Sequence, residues 1–221
     1  MGSRVVNLTF HGIGEPGPHA APGEAAFWLS EDRFTAVLDL VTGRDDVCLT
    51  FDDGNDSDVR RALPALAERG LRATFFVVAG RLGQAGYLSA DDLDELAAAG
   101  MTLGTHGMRH RPWRRLERRD LHDELVQARS VLEAATGRDI VRAACPFGVY
   151  DRRTLRGLRR GGYQRVFTSD CGPADPRAWL QPRNTIRRDD DAATVERLLW
   201  QARSGGQPPL RRLVLRAKRW R

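Results

Sequence analysis

Asp52 and Asp53 stand side by side in Thr50-Phe51-Asp52-Asp53-Gly54, directly after the apolar run Val47-Cys48-Leu49. Neighbouring carboxylates repel, and Asp is seldom buried without a partner. The pair therefore either lies in solvent or faces a cation. His106-Gly107-Met108-Arg109-His110 places two imidazoles at i and i+4, and on a helical turn such a pair shares one face and can share one metal ion. Taken with Asp53, the two histidines make a two-imidazole, one-carboxylate set. A set of that kind leaves coordination positions open for water and substrate, as in a hydrolytic zinc centre. The plainer alternative is a solvated acidic pair with one surface and one core histidine.

The elements that must position these groups follow from the apolar pattern. Residues 5–10 read as a strand ending at His11-Gly12-Ile13-Gly14, followed by a loop rich in Pro, Gly and Ala. Ser30 is expected to cap a helix to Gly43, and residues 47–51 form a second strand. Ser57 is expected to cap a helix to Gly70, in which Pro64 either kinks the helix or marks its start. Residues 72–78 are continuously apolar, the pattern of a strand buried on both faces. Helices over 89–100, 117–135, 151–160 and 192–202 then alternate with strands at 101–104, 140–145 and 164–168, and with a short one at 184–187. Strand–helix alternation repeated some six to eight times implies a parallel sheet with helices outside, either a barrel or a doubly wound sheet. His11, Asp52-Asp53, the histidine pair and the Pro146 loop all come directly after a strand. In a barrel such positions converge on one face, where active sites sit.

The same residues resemble the motifs of a known family. Thr50-Phe51-Asp52-Asp53-Gly54 is similar to the first motif of the NodB-homology polysaccharide deacetylases (carbohydrate esterase family 4), and His106-x-x-x-His110 to the second. Ala143-Ala144-Cys145-Pro146-Phe147-Gly148-Val149-Tyr150-Asp151 is similar to the third. The likeness extends over about residues 5 to 190. It implies a distorted (β/α) barrel of about six to eight parallel strands, a divalent metal (most often Zn2+), and hydrolysis of N-acetyl groups on a sugar-containing substrate. Carried over by position, it implies that Asp52 is the general base and that Asp53, His106 and His110 hold the metal. The chemistry agrees: the metal acidifies its water and polarises the acetyl carbonyl, while an unligated carboxylate takes the proton. A backbone N–H of the Pro146, Phe147, Gly148 loop, that of Phe147, would help hold the oxyanion. Trp113, just beyond the histidine pair, is the expected sugar-stacking aromatic; Trp28 and Trp179 are weaker candidates.

Three departures qualify the likeness. No histidine follows His122, so the family's late Leu-His motif is missing. Ala144 stands where an arginine is common, with Arg142 two residues away, and Gly107 where Ser or Thr is common. Phe10-His11-Gly12-Ile13 instead resembles the aromatic-His motif of the circularly permuted branch, which implies that His11 is the general acid. Asp170 and Asp175 either orient a catalytic group or are ordinary loop acids. Arg183, after Pro182, either contacts substrate or is one ordinary arginine in so arginine-rich a chain.

The chain has 221 residues, enough for one domain with a substantial core. Its hydrophobic content of 41% and charged content of 29% are ordinary for a globular protein. Among its 35 basic residues only Lys218 is a lysine. The net charge of +6 is matched by Arg211, Arg212, Arg216, Lys218, Arg219 and Arg221 in residues 208–221, which leaves the remainder neutral. We accordingly divide the chain into a deacetylase-like domain, residues 1–207, and a basic amphipathic segment, residues 208–221. With the excess charge confined to the tail and no reading motif present, a nucleic-acid partner is not expected. The tail's basic amphipathic character suits either an anionic membrane surface or packing on the barrel. Cys48, Cys145 and Cys171 are scattered and odd in number, which argues against a disulfide framework. With no apolar leader and no span of membrane length, the expected setting is cytoplasmic, with the tail as a peripheral membrane contact. Two other readings remain open: a catalytically silent carbohydrate-binding relative, and a same-fold hydrolase of a non-sugar amide.

Overall fold

The computed structural model describes residues 4–20 and 22–203. Eight strands form its main sheet: β1 (Val6–Phe10), β2 (Val47–Asp53), β3 (Ala73–Val77), β4 (Thr102–Thr105), β5 (Arg142–Ala144), β6 (Arg165–Thr168), β7 (Leu180–Pro182) and β8 (Asn184–Thr185). All pairings are parallel, in the order β8-β1-β2-β3-β4-β5-β6-β7. From β1 to β7 the order follows the chain without the reversal of a doubly wound sheet, which decides for the barrel. β7 and β8 are two halves of one extended segment. Leu180 lies opposite Val166 of β6, and Asn184 lies opposite Leu8 of β1. The segment thus draws the two edges together, and Arg183 sits at the seam.

The helices are α1 (Glu31–Val41), α2 (Leu63–Glu68), α3 (Ala90–Ala98), α4 over residues 118–136, α5 (Arg152–Arg160) and α6 (Ala192–Arg203). Local signals start several of them. Ser30 Oγ accepts the Arg33 N–H ahead of α1, a capping box joins Ser89 and Asp92 ahead of α3, and Asp151 accepts the Thr154 N–H ahead of α5. Ser57 does not cap as expected. Its Oγ accepts the Ile13 N–H at 3.2 Å, and the chain enters α2 through a π turn, Asp58–Ala62. Pro64 follows in the first turn of α2, where a missing N–H does least harm. A second π turn, Asp123–Gln127, interrupts α4 between Arg118–His122 and Ala128–Thr136.

Strand alternation separates two interiors. Leu8, Phe10, Leu49, Phe51, Phe75 and Val77 join Phe34, Val37, Leu38, Leu93, Leu96 and Leu132 in the core between sheet and helices. The alternate residues line the barrel and are unusually polar. The Thr9 and Thr50 hydroxyls lie 3.0 Å apart, Asn7 Nδ2 donates to Gln181 Oε1 at 3.2 Å, and Phe76 with Phe167 fills the space between. β3 is buried throughout, as its apolar run predicts. Among the described residues no helix is long and apolar enough to cross a membrane. The basic segment 208–221 lies outside the described residues.

Candidate active site

The reactive groups meet at the carboxyl ends of β1, β2, β4 and β5. Successive strand residues normally face opposite sides, yet Asp52 and Asp53 serve one site. The left-handed backbone of Asp53 (φ 78°), an uncommon conformation for a non-glycine residue, turns the second carboxylate back toward the first. Gly54 (φ 72°) continues the turn close against Val77.

The histidine segment is a loop and not the helical turn that i, i+4 spacing suggests. Gly107 (φ 84°) and His110 (φ 48°) both have left-handed backbone, and this folds the loop until the rings lie 5.1 Å apart between centroids. Glu124, in the π turn of α4, holds the loop from beneath. Its Oε2 accepts the Met108 N–H at 2.8 Å, the Arg109 N–H at 3.4 Å and the Trp113 indole N–H at 3.2 Å, while Arg111 Nε donates to Oε1 at 3.1 Å. A Cβ at position 107 would lie 2.3 Å from Glu124 Oε2, so glycine here makes room for the carboxylate that orders the loop.

Asp53, His106 and His110 each offer a ligand atom, all within 4.8 Å of one another. His106 Nε2 lies 3.6 Å from Asp52 Oδ2 and 3.7 Å from Asp53 Oδ1, and His110 Nε2 lies 3.1 Å from Asp53 Oδ1. His106 Nδ1 sits 2.9 Å from the Ala144 carbonyl. A carbonyl only accepts, so the ring proton is on Nδ1 and the Nε2 lone pair faces the carboxylates. Burial holds His106 neutral, lowering its pKa to about 3, and lowers His110 likewise. Asp53 Oδ1 is buried with no hydrogen-bond partner. Burial, reinforced by Asp52 and opposed by His11, pushes the Asp53 carboxyl up to about 6. A buried carboxylate oxygen without a partner, beside two neutral imidazoles, is a donor set that fits a divalent cation such as zinc.

Asp52 is held differently. Arg183 Nη1 donates to Oδ1 at 2.6 Å and Nη2 to Oδ2 at 2.7 Å, a two-pronged clamp between side chains at most 4% exposed. Nη1 also reaches Thr50 Oγ1 at 3.3 Å, and the guanidinium lies over the Phe76 and Phe167 rings. Burial alone would raise the Asp52 carboxyl, but the Arg183 charge and its hydrogen bonds outweigh it, leaving Asp52 well below the usual carboxylate range. The two aspartates are thus pushed apart: one ionised in its clamp, the other in want of a cation.

The sequence profile described as polysaccharide deacetylase matches residues 39–166, more than half of the chain. The chain belongs to the polysaccharide deacetylase family. Among similar members, YxkH of Bacillus subtilis strain 168, which carries the family's name, is 25% identical over 153 residues, covering 69% of this chain and 52% of that protein. The chitooligosaccharide deacetylase of Bradyrhizobium sp. strain ANU 289 is 29% identical over 144 residues, covering 64% of this chain and 62% of that one. The chain therefore spans about half the length of the first and under two thirds of the second. The Streptococcus pyogenes deacetylase PplD, solved in complex with acetate, shares the fold with a TM-score of 0.76 at 19% identity, over 90% of this chain and 99% of that one.

Against this family frame, the other expected residues divide. His11, just after β1, is half-buried against Phe27, within electrostatic range of Asp52 and Asp53, and its buried Nδ1 has no hydrogen-bond partner. Pro146 and Gly148 are buried, while Phe147 between them is 61% exposed, with its ring 4.6 Å from that of His110. Trp113 does not line a groove: it is wholly buried, and its indole N–H is taken by Glu124. Trp179 is half-buried under Arg159, and Trp28 is buried. Asp170 accepts the buried Tyr150 hydroxyl at 2.7 Å, and Asp175 accepts the Arg177 N–H. Arg142 donates to Thr74 Oγ1 and takes no part in the carboxylate pair.

Sequence reasoning missed Glu124, and it weighed Arg183 only as a substrate contact and not as the clamp on Asp52. Nothing local marks either role. It missed Asp58 as well, which is wholly buried with neither oxygen hydrogen-bonded; burial and the charges of Asp53, Asp52 and Asp56 raise it well above the usual range.

Proposed function

We propose that this chain is a metal-dependent N-deacetylase acting on an amino-sugar-containing substrate. The observation that carries the reading is the convergence of Asp53, His106 and His110 beside an arginine-clamped, ionised Asp52. Asp53 and the Nε2 atoms of His106 and His110 would hold the cation, with Zn2+ the best match to this donor set. When bound, such an ion supplies Lewis acidity to the acetyl carbonyl and to the attacking water. Asp52 would accept the water's proton; its clamp fixes the carboxylate in the ionised state that a base requires. His11, delivered by the first strand as in the permuted branch, would give a proton to the departing amine. The Phe147 backbone N–H would stabilise the oxyanion, and the exposed Phe147 ring offers a stacking platform for a sugar. The chitooligosaccharide named for the Bradyrhizobium relative supports an N-acetylated glycan as substrate.

Acetate release from N-acetylated saccharides, lipid-linked sugars and glycosylated metabolites tests the reading. The assay is run with zinc, with chelator, and with Asp52→Asn and His11→Ala. Both variants are expected to lose about 100- to 10,000-fold in kcat. Activity that survives chelation or Asp52→Asn would overturn the mechanism. A cytoplasmic setting and contact of residues 208–221 with anionic membrane are further proposals. Liposome sedimentation with and without the segment tests the contact, and equal binding rejects it.

A further inference from the structure

His106 and His110 present the same Nε2 edge to Asp53, but their far nitrogens have opposite surroundings. His106 Nδ1 donates to the Ala144 carbonyl at 2.9 Å. His110 Nδ1 faces Arg81 Nη2 at 3.4 Å. Arginine only donates, so this contact requires the lone pair on Nδ1 and the ring proton on Nε2, which lies 3.1 Å from Asp53 Oδ1 without a hydrogen bond to it. An imidazole that gives its Nε2 lone pair to a cation carries its proton on Nδ1, and that N–H needs an acceptor. Arg81 cannot be that acceptor.

Glu24 can. Its Oε1 lies 4.0 Å from His110 Nδ1 and 3.6 Å from Arg81 Nη2. It opens a short turn, Glu24–Phe27, in the loop between β1 and α1, well outside the histidine and aspartate motifs. Its side chain is about one-fifth exposed, so a small rotation can close the remaining gap without unpacking the core. Resting on the metal-centre reading above, we propose that Glu24 is a positioning residue for His110. When the cation binds, Glu24 takes the Nδ1–H, Arg81 moves off the ring nitrogen onto the carboxylate, and the imidazole is fixed with Nε2 toward the metal. The loop after β1 thereby takes part in the metal centre as well as delivering His11.

Zinc affinity, measured by competition with a fluorescent chelator, tests the assignment in the full chain and in Glu24→Ala and Glu24→Gln. Glu24→Ala is expected to bind zinc about 10- to 100-fold more weakly. Glu24→Gln, which keeps a carbonyl acceptor, is expected to lose less. The unfolding midpoint of the metal-free protein should be the same for all three. Nitrogen-15 spectra of the wild-type histidines should show the His110 proton passing from Nε2 to Nδ1 on zinc addition. Wild-type protein that takes up no zinc overturns the metal-centre reading itself. Zinc bound equally by wild type and Glu24→Ala, or a metal-free midpoint that falls in step with the lost affinity, overturns the Glu24 assignment alone.

Discussion

Replacing Arg183 by methionine should be the most costly single change in the barrel interior. The substitution keeps most of the side chain's volume between Phe76 and Phe167 and removes only the fork. Asp52 then loses two short hydrogen bonds, of 2.6 and 2.7 Å, at a site where it is 3% exposed and water cannot replace them. Breaking a buried pair in this way costs about 3–5 kcal/mol, because a charge is left uncompensated. In a domain of this size that lowers the melting temperature by roughly 6–20 °C. The sign with pH follows from Asp52. Its folded carboxyl is depressed, so the stability it confers is present above the unfolded carboxylate value near ~4 and is lost as pH falls through the folded value. The gap between wild type and Arg183→Met should therefore be widest near neutral pH and narrow in acid. Adding Asp52→Asn to Arg183→Met should restore stability, since the stranded charge is then gone. Arg183→Lys should fall between, keeping charge without the fork. Urea unfolding in the presence of chelator measures all four. Arg183→Met within about 0.5 kcal/mol of wild type, or a gap that does not change with pH, would refute the clamp.

Glu124→Ala should cost about 2–6 kcal/mol, since it strands the Met108 N–H and the Trp113 indole N–H, at about 1–3 kcal/mol each. It should also weaken zinc binding by loosening the loop that carries His110; urea unfolding and chelator competition check the two parts. Asp58→Asn should change stability by less than about 1 kcal/mol, because burial favours the uncharged carboxyl that an amide resembles. A loss of several kcal/mol on urea unfolding would mean that Asp58 is ionised. Zinc affinity should fall about tenfold per pH unit below the Asp53 value of about 6, where a proton must be displaced, and level off above it. A flat profile between pH 5 and 8 in calorimetry would contradict this.

The order of strands and helices was legible because it rests on local signals: apolar runs, caps such as Ser30, Ser89 and Asp151, and reactive residues placed just after strands. The family could be named from Asp52-Asp53, the histidine pair and the Pro146 loop for the same reason, since each motif is a short contiguous stretch. What the sequence did not decide depends on chain segments that meet only when the barrel closes. Arg183 is 131 residues from Asp52 and reaches it because the segment 180–185 joins β6 to β1. Glu124 orders the histidine loop from a π turn that no periodicity announces, and the same contact that satisfies the Trp113 indole buries the ring expected to stack on a sugar. The i, i+4 spacing singled out two histidines that the fold does bring together, but not through the helical turn that the spacing suggests. Left-handed backbone at Gly107 and His110, supported by Glu124, brings the rings together where a helix was expected. Residue type and spacing determined which groups were available for chemistry. Long-range packing decided their charge and aim, because burial and the approach of Arg183 set the two aspartates apart, and neither exists until the fold is complete.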